Sequence, residues 1–182
     1  DGSATSTNYQ NYIGYFDDNN GLYFKYDRNA STGVSVNVRS NTSGSVANTS
    51  TVQSSWNIDK MDGTGTSGYN IDFTKSQLYV IDFEWLSVGR IRFGFYIFGN
   101  IYYCHQISNF NELDGPYMKT ANLPIRYEIN LADSGNAQLT QICSSVISEG
   151  GYNPIGKTFS VSNGTTPVSI ATTETALIAI RG

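Results

Sequence analysis

Val34, Val36 and Val38 alternate with polar residues across Gly33–Ser40, GVSVNVRS. The same two-residue period returns in Tyr79, Ile81, Phe83 and Trp85, and in Ile91, Phe93, Phe95 and Ile97. Strict alternation marks a strand with one buried and one wet face. Nowhere does a helical period of about 3.6 residues persist between two caps. The pattern predicts an all-β chain.

The clearest local structure is a three-stranded meander from Leu78 to Ile107. Gly99-Asn100 offers residues that tolerate positive φ, which predicts a two-residue hairpin turn with Phe98 facing Ile101. Ser87-Val88-Gly89 provides the first connection. Keeping apolar opposite apolar there forces odd positions to pair with odd ones, so Tyr79, Ile81, Phe83 and Trp85 share a core face with Ile91, Phe93, Phe95 and Ile97. Asp82, Glu84, Arg90, Arg92, Gly94 and Tyr96 then share the opposite face, with acids within reach of bases.

Gly21–Asp27, GLYFKYD, is a further strand, and residues 40–51, SNTSGSVANTST, read as a polar loop. Val52 to Gly68 forms a long excursion around Trp56 and Met61, with turns at Asp62-Gly63 and Ser67-Gly68; such excursions are usually functional or packed against a partner. After a loop from Ser108 to Asn122, strands are expected at Ile125–Leu131, Ala137–Ile147, Thr158–Val161, Pro167–Ala171 and Ala176–Ile180. Roughly ten residues per strand and turn suit two packed sheets. The expected fold is an antiparallel β-sandwich of jelly-roll or concanavalin-like type over residues 21–182. Residues 1–20, rich in Ser, Thr, Asn and Asp with Tyr9, Tyr12, Tyr15 and Phe16 interspersed, read as an N-terminal arm laid on a neighbouring surface.

Composition narrows the function. The chain has 182 residues, enough for one well-buried domain. Its 11 basic residues are scattered and the net charge is -4, so no stripe follows a phosphate backbone and nucleic acid is not an expected partner. No run approaches the roughly 18 to 20 apolar residues of a membrane span. The chain starts at Asp1 without a signal-peptide pattern, which reads as a processed product or an excised domain. Cys104 and Cys143 allow one bridge at most, and Cys104 also reads as a small buried strand residue.

Candidate chemistry centres on the meander. Asp82 and Glu84 lie on one strand face about 6 to 7 Å apart by strand rise, and a retaining glycosidase places its two carboxyls about 5 to 5.5 Å apart. A general acid must hold its proton, however, and a neighbouring guanidinium favours losing it. Asp82, Glu84, Arg90 and Arg92 therefore read as structural ion pairs, with no catalytic residue expected. His105, the single histidine, falls opposite Gly94 in the Gly99-Asn100 register, with Asp82 beyond, but no strained serine completes a triad. No zinc set is present, and Asp59, Asp62 and Asp72 read as turn formers ahead of calcium ligands. No metal or cofactor is expected. Tyr9, Tyr12, Tyr15, Trp56, Tyr69 and His105 are candidate contacts for a glycan or a partner, because flat aromatic faces suit sugar rings as well as cores.

Three strings carry a likeness to a known family: SSWNIDKMDGTG; IDFTKSQLYVIDFEWLSVGRIRFGFYIFGNIYYCHQISNFN; and YMKTANLPIRYEI. Together they resemble a β-rich structural domain of virion proteins from tailed phages and some large DNA viruses. The shared features are the Trp-Asn-x-Asp element, the Asp-Gly-x-Gly turn, a hairpin like EWLGVG, a histidine after the next hairpin, and an LPxRYEI strand. The likeness covers about residues 52–130, and more weakly ALIAIR at 176–181. Ser87 stands where the family hairpin more often has Gly, and the chain ends soon after AIR, where such domains tend to continue with a strand. The resemblance implies a particle component, located in the virion as capsid decoration, head fibre, baseplate or tail protein, with no catalytic residues to carry over. Its partners would be other virion proteins and copies of itself. The rival readings are an adhesin module for a host receptor or surface glycan, and a glycosidase using Asp82 and Glu84.

Overall fold

A computed structural model of the chain describes residues 6–29, 33–85 and 88–147. The chain divides into two compact units, Asp1–Ser144 and Ser145–Gly182. The described strands all belong to the first. The strands expected at Thr158–Val161, Pro167–Ala171 and Ala176–Ile180 lie outside the described residues.

Among the described residues, eight strands form two antiparallel sheets: β1 (Tyr9–Phe16), β2 (Gly21–Asp27), β3 (Val34–Ser40), β4 (Ala47–Val52), β5 (Tyr79–Phe83), β6 (Ile91–Ile97), β7 (Asn100–Ile107) and β8 (Ile125–Leu131). The larger sheet runs β4-β3-β2-β1-β8, a four-strand meander to which β8 returns beside β1; the smaller runs β5-β6-β7. The only helical piece among the described residues is a 3₁₀ turn at Gln53–Ser55. The protein is an all-β sandwich.

The two-residue period explains which faces meet. Leu22 and Phe24 pair with Val38 and Val36, and this row packs on Ile91, Phe93 and Phe95 of the other sheet, all buried. The Phe24 ring stands edge-on to Phe93 with centroids 5.4 Å apart and lies 5.0 Å from Tyr79. Fully burying one such side chain stabilises by about 1.5–3 kcal/mol, so this aromatic seam is the main bond between the sheets.

Three expectations need correction. Within the span 1–20 expected as an arm, Tyr9–Phe16 is an interior strand bonded to β2 on one side and β8 on the other, residues 1–5 lying outside the described residues. Its aromatics point both ways, because the far face of the larger sheet is also covered. There Phe16 lies 4.8 Å from Tyr23, with Arg39 and Arg126 over its ring at 5.5 and 5.3 Å. Second, the polar stretch 40–51 holds all but the last residue of β4, an edge strand whose residues are mostly exposed, so no burial alternation marks it. Third, Ala137–Ile147 forms no strand, and Ile142 is exposed.

Candidate functional site

The outward face of the smaller sheet gathers the charged residues. Asp82 pairs with Arg92 across β5 and β6, and one step further Glu84 donates its amide to the Arg90 carbonyl at 2.9 Å. Arg92 Nε donates to Asp82 Oδ2 at 2.8 Å, and its Nη2 also contacts that oxygen. Tyr103 of β7 donates its hydroxyl to the same oxygen at 2.9 Å, while the Arg92 guanidinium lies 4.0 Å over the Tyr103 ring. The outer pair is wetter: Arg90 Nη2 reaches Glu84 Oε1 at 2.9 Å with both side chains well exposed. Both carboxylates are thus committed to guanidiniums, and neither faces an open groove free of them. That geometry suits a register clamp and does not suit an acid and nucleophile pair.

The same face becomes apolar toward the far hairpin. The Tyr96 amide donates to the Leu78 carbonyl at 2.9 Å, and Tyr96 pairs with Ile101. Leu78, Tyr96 and Ile101 therefore form one row across three strands, 55%, 45% and 47% exposed. Phe98, beyond the row at the turn, is 90% exposed. A contiguous row of this kind is uncommon on a monomer surface and marks interaction sites.

The turn itself departs from expectation. Ile97 pairs with Asn100, so the loop is Phe98-Gly99, one residue earlier than Gly99-Asn100, and Tyr96 rather than Phe98 faces Ile101. Both loop residues have positive φ, 47° for Phe98 and 88° for Gly99. Among the described residues, the other non-glycine positive φ values belong to Met61 and Asn111. Met61 is fully buried and its amide donates to Asp59 Oδ1 at 2.8 Å, while Asn is a residue type that tolerates this region. Phe98 has neither excuse. A bulky side chain there costs on the order of 1–2 kcal/mol.

β7 then carries a bulge. Gly94 pairs with Tyr103 but Phe93 pairs with His105, which leaves Cys104 as the extra residue. A Cβ on Gly94 would lie 2.6 Å from the Tyr102 carbonyl oxygen, so the close approach requires glycine. The earlier turn and the bulge together move His105 from the place expected opposite Gly94, with Asp82 beyond, to one opposite Phe93: the turn alone would set it opposite Arg92, and the extra residue shifts it by one. His105 is buried, and its Nδ1 accepts the Asn57 amide at 3.3 Å. Burial pulls its pKa below the usual imidazole value.

The 52–68 excursion runs along the outer edge of β7. Ile58 and Asp59 amides both donate to the Cys104 carbonyl at 3.1 Å. The Asn57 side chain receives the Gln106 amide at 2.9 Å and donates to the Gln106 carbonyl at 2.8 Å. Asp59 ties the loop: its carboxylate accepts Met61 and Ser67 amides. Asp62 and Asp72 each accept the amide and hydroxyl of a Thr two residues on. These three carboxylates close turns, and no group of three or more metal-ligating side chains gathers among the described residues. Between excursion and β7 lies an open hollow of about 510 Å³, lined in part by Ile58, Met61, Ile101, Tyr102, Tyr103 and Arg92.

Of the six residues expected as contact platforms, Tyr9, Trp56 and His105 are buried and Tyr12, Tyr15 and Tyr69 half-buried. Trp56 Nε1 donates to the Thr51 carbonyl at 3.2 Å. The Tyr15 hydroxyl donates to the Ala121 carbonyl and accepts the Leu123 amide. Tyr12 packs 5.6 Å from Tyr23, and Tyr69 stands edge-on to Tyr102 at 5.0 Å. His105 is pinned under the excursion. As a contact set, these six are dispersed: Tyr9, Tyr12 and Tyr15 on β1, His105 on β7, and Trp56 and Tyr69 in the segment between β4 and β5. The residues that do form a surface, Leu78, Tyr96, Phe98 and Ile101, were signalled in the sequence by apolar side chains at positions whose parity puts them on the wet face. Cys104 and Cys143 are both free thiols. Comparison with protein-family models, with curated proteins and with solved structures finds no match, so the surface is read from its own chemistry.

Proposed function

We propose that this chain is a non-catalytic structural component of a virus particle, which packs against other particle proteins through the outward face of its smaller sheet. The observation that carries the packing role is the exposed row Leu78, Tyr96 and Ile101, continued by Phe98 at the turn. It adjoins charges already neutralised in pairs, so a partner can cover the face without stranding an ion. The likeness of residues 52–130 to virion domains supplies the setting. Burial of Trp56, Tyr9 and His105 weighs against three of the six candidate glycan platforms, Tyr12, Tyr15 and Tyr69 being half-buried, and the guanidinium contacts of Asp82 and Glu84 weigh against a glycosidase.

Quantitative mass spectrometry of purified particles from the source tests the setting. The chain should be present in many copies per particle, and its absence would overturn the proposal.

A further inference from the structure

Phe98 is placed where neither folding nor turn chemistry wants it. At 90% exposure it contributes almost nothing to the core, and at φ 47° it occupies a turn position that Asn, Asp or Gly would fill with less strain. Strain retained at an exposed residue points from structure to function. Three residues further along the chain, Ile101 lines the hollow of about 510 Å³ shared with Ile58, Tyr102 and Tyr103. Apart from Met61, the remaining lining is polar, Asp59, Thr66, Ser67, Arg92 and Gln106, so a ring entering the open hollow would lie against its Ile58, Met61 and Ile101 side. Knob and hollow therefore sit close together in sequence and share one hairpin.

Resting on the reading of this face as a packing surface, we propose that its occupant is a second copy of the same chain, with each Phe98 entering the other's hollow about a twofold axis. Charge favours a copy. The chain as a whole carries -4, but on this face Asp82 and Glu84 cancel Arg92 and Arg90, and Asp59, which also lines the hollow, is 5% exposed with its carboxylate held by the Met61 and Ser67 amides. Two acidic chains can thus meet here without like charges opposed. Because knob and socket share one hairpin, two copies can each give and receive within a single patch, which closes a twofold contact where a one-way contact would build a chain. Arg92, one wall of the hollow, would lie beside the entering ring, a cation-π arrangement it already makes with Tyr103.

Sedimentation equilibrium of the full chain from micromolar to millimolar concentration tests this. The wild type should form a closed dimer. Phe98→Asn should weaken dimerisation about thirtyfold or more, as loss of an aromatic anchor does, while its thermal midpoint stays level or rises because Asn relieves the turn. Ile101→Ser should weaken the dimer from the socket side, and a mixture of the two variants should recover association, since one intact knob then meets one intact socket. A wild type monomeric throughout, or a Phe98→Asn chain that dimerises undiminished, overturns the inference. A ladder of larger species overturns the twofold arrangement. Each of these results is independent of whether the chain is found in particles, so failure here and failure of the structural role are told apart.

Discussion

Arg92 and Tyr103 are stacked, guanidinium over ring at 4.0 Å, and both hydrogen bond to one oxygen of Asp82. Three adjacent strands are thereby tied together by side chains, each about a quarter exposed in the case of the two ions.

This cluster should behave as a unit. Asp82→Ala should cost about 1–2 kcal/mol, below the 3–5 kcal/mol of a fully buried pair because water still reaches it. Tyr103→Phe should cost about 1 kcal/mol. Urea unfolding of both variants and of the double variant should show a coupling above about 0.5 kcal/mol; strictly additive costs would mean that the shared oxygen couples nothing. Glu84→Gln, in the exposed pair, should change stability by less than about 1 kcal/mol.

His105 gives a pH dependence with a definite sign. Its folded pKa is lowered by burial, so below about 6.5, the ordinary imidazole value, the unfolded chain binds the extra proton more readily. Stability should therefore fall as pH drops from 7.5 toward 5, and level off only below the folded pKa. The urea midpoint measured across this window should slope in the wild type and run flatter in His105→Asn. Equal slopes would show that the imidazole is not the titrating group.

The thiols should differ sharply. Cys104 is fully buried, donates to the Phe93 carbonyl at 3.3 Å, and burial raises its pKa far above the usual thiol value. Cys143 is exposed. A thiol reagent should consume one equivalent on mixing and the second only as the protein unfolds. Two fast equivalents would contradict the burial.

Removing residues 1–16 should abolish cooperative unfolding, because β8 would lose the strand it pairs with and β2 one of its two neighbours. Circular dichroism during a thermal scan would read this directly. A truncated chain that still melts in one sharp step would restore the idea of a detachable arm.

How far the sequence could be read follows from what each strand faces. Tyr79–Phe83 and Ile91–Ile97 were legible down to the parity of their pairing, because one face is aromatic and the other charged and a one-residue slip would exchange them; the register itself, Tyr79 opposite Phe95, was not, since a two-residue slip keeps the faces. Tyr9–Phe16 was not, since Arg39 and Arg126 cover the rings on its far side and erase the contrast between faces. Ala47–Val52 was missed for the opposite reason: an edge strand with polar residues on both sides has no period to show. Ile142 and its neighbours had the spacing of a strand but form none. At the candidate surface, parity placed the four charges, whereas the Phe98-Gly99 turn lay one residue from where turn chemistry puts it. The bulge at Cys104 left no mark in the residue pattern. It depends on the close backbone approach at Gly94, which is a three-dimensional fact.

The side chain of Asn57 meets both backbone groups of Gln106, as the next strand of a sheet would. One amide thus acts as a chain terminator for the sheet, where many proteins use a proline or a lysine. Any runaway polymer of this protein built by strand addition would have to nucleate at another of the described sheet edges, such as the mostly exposed Ala47–Val52.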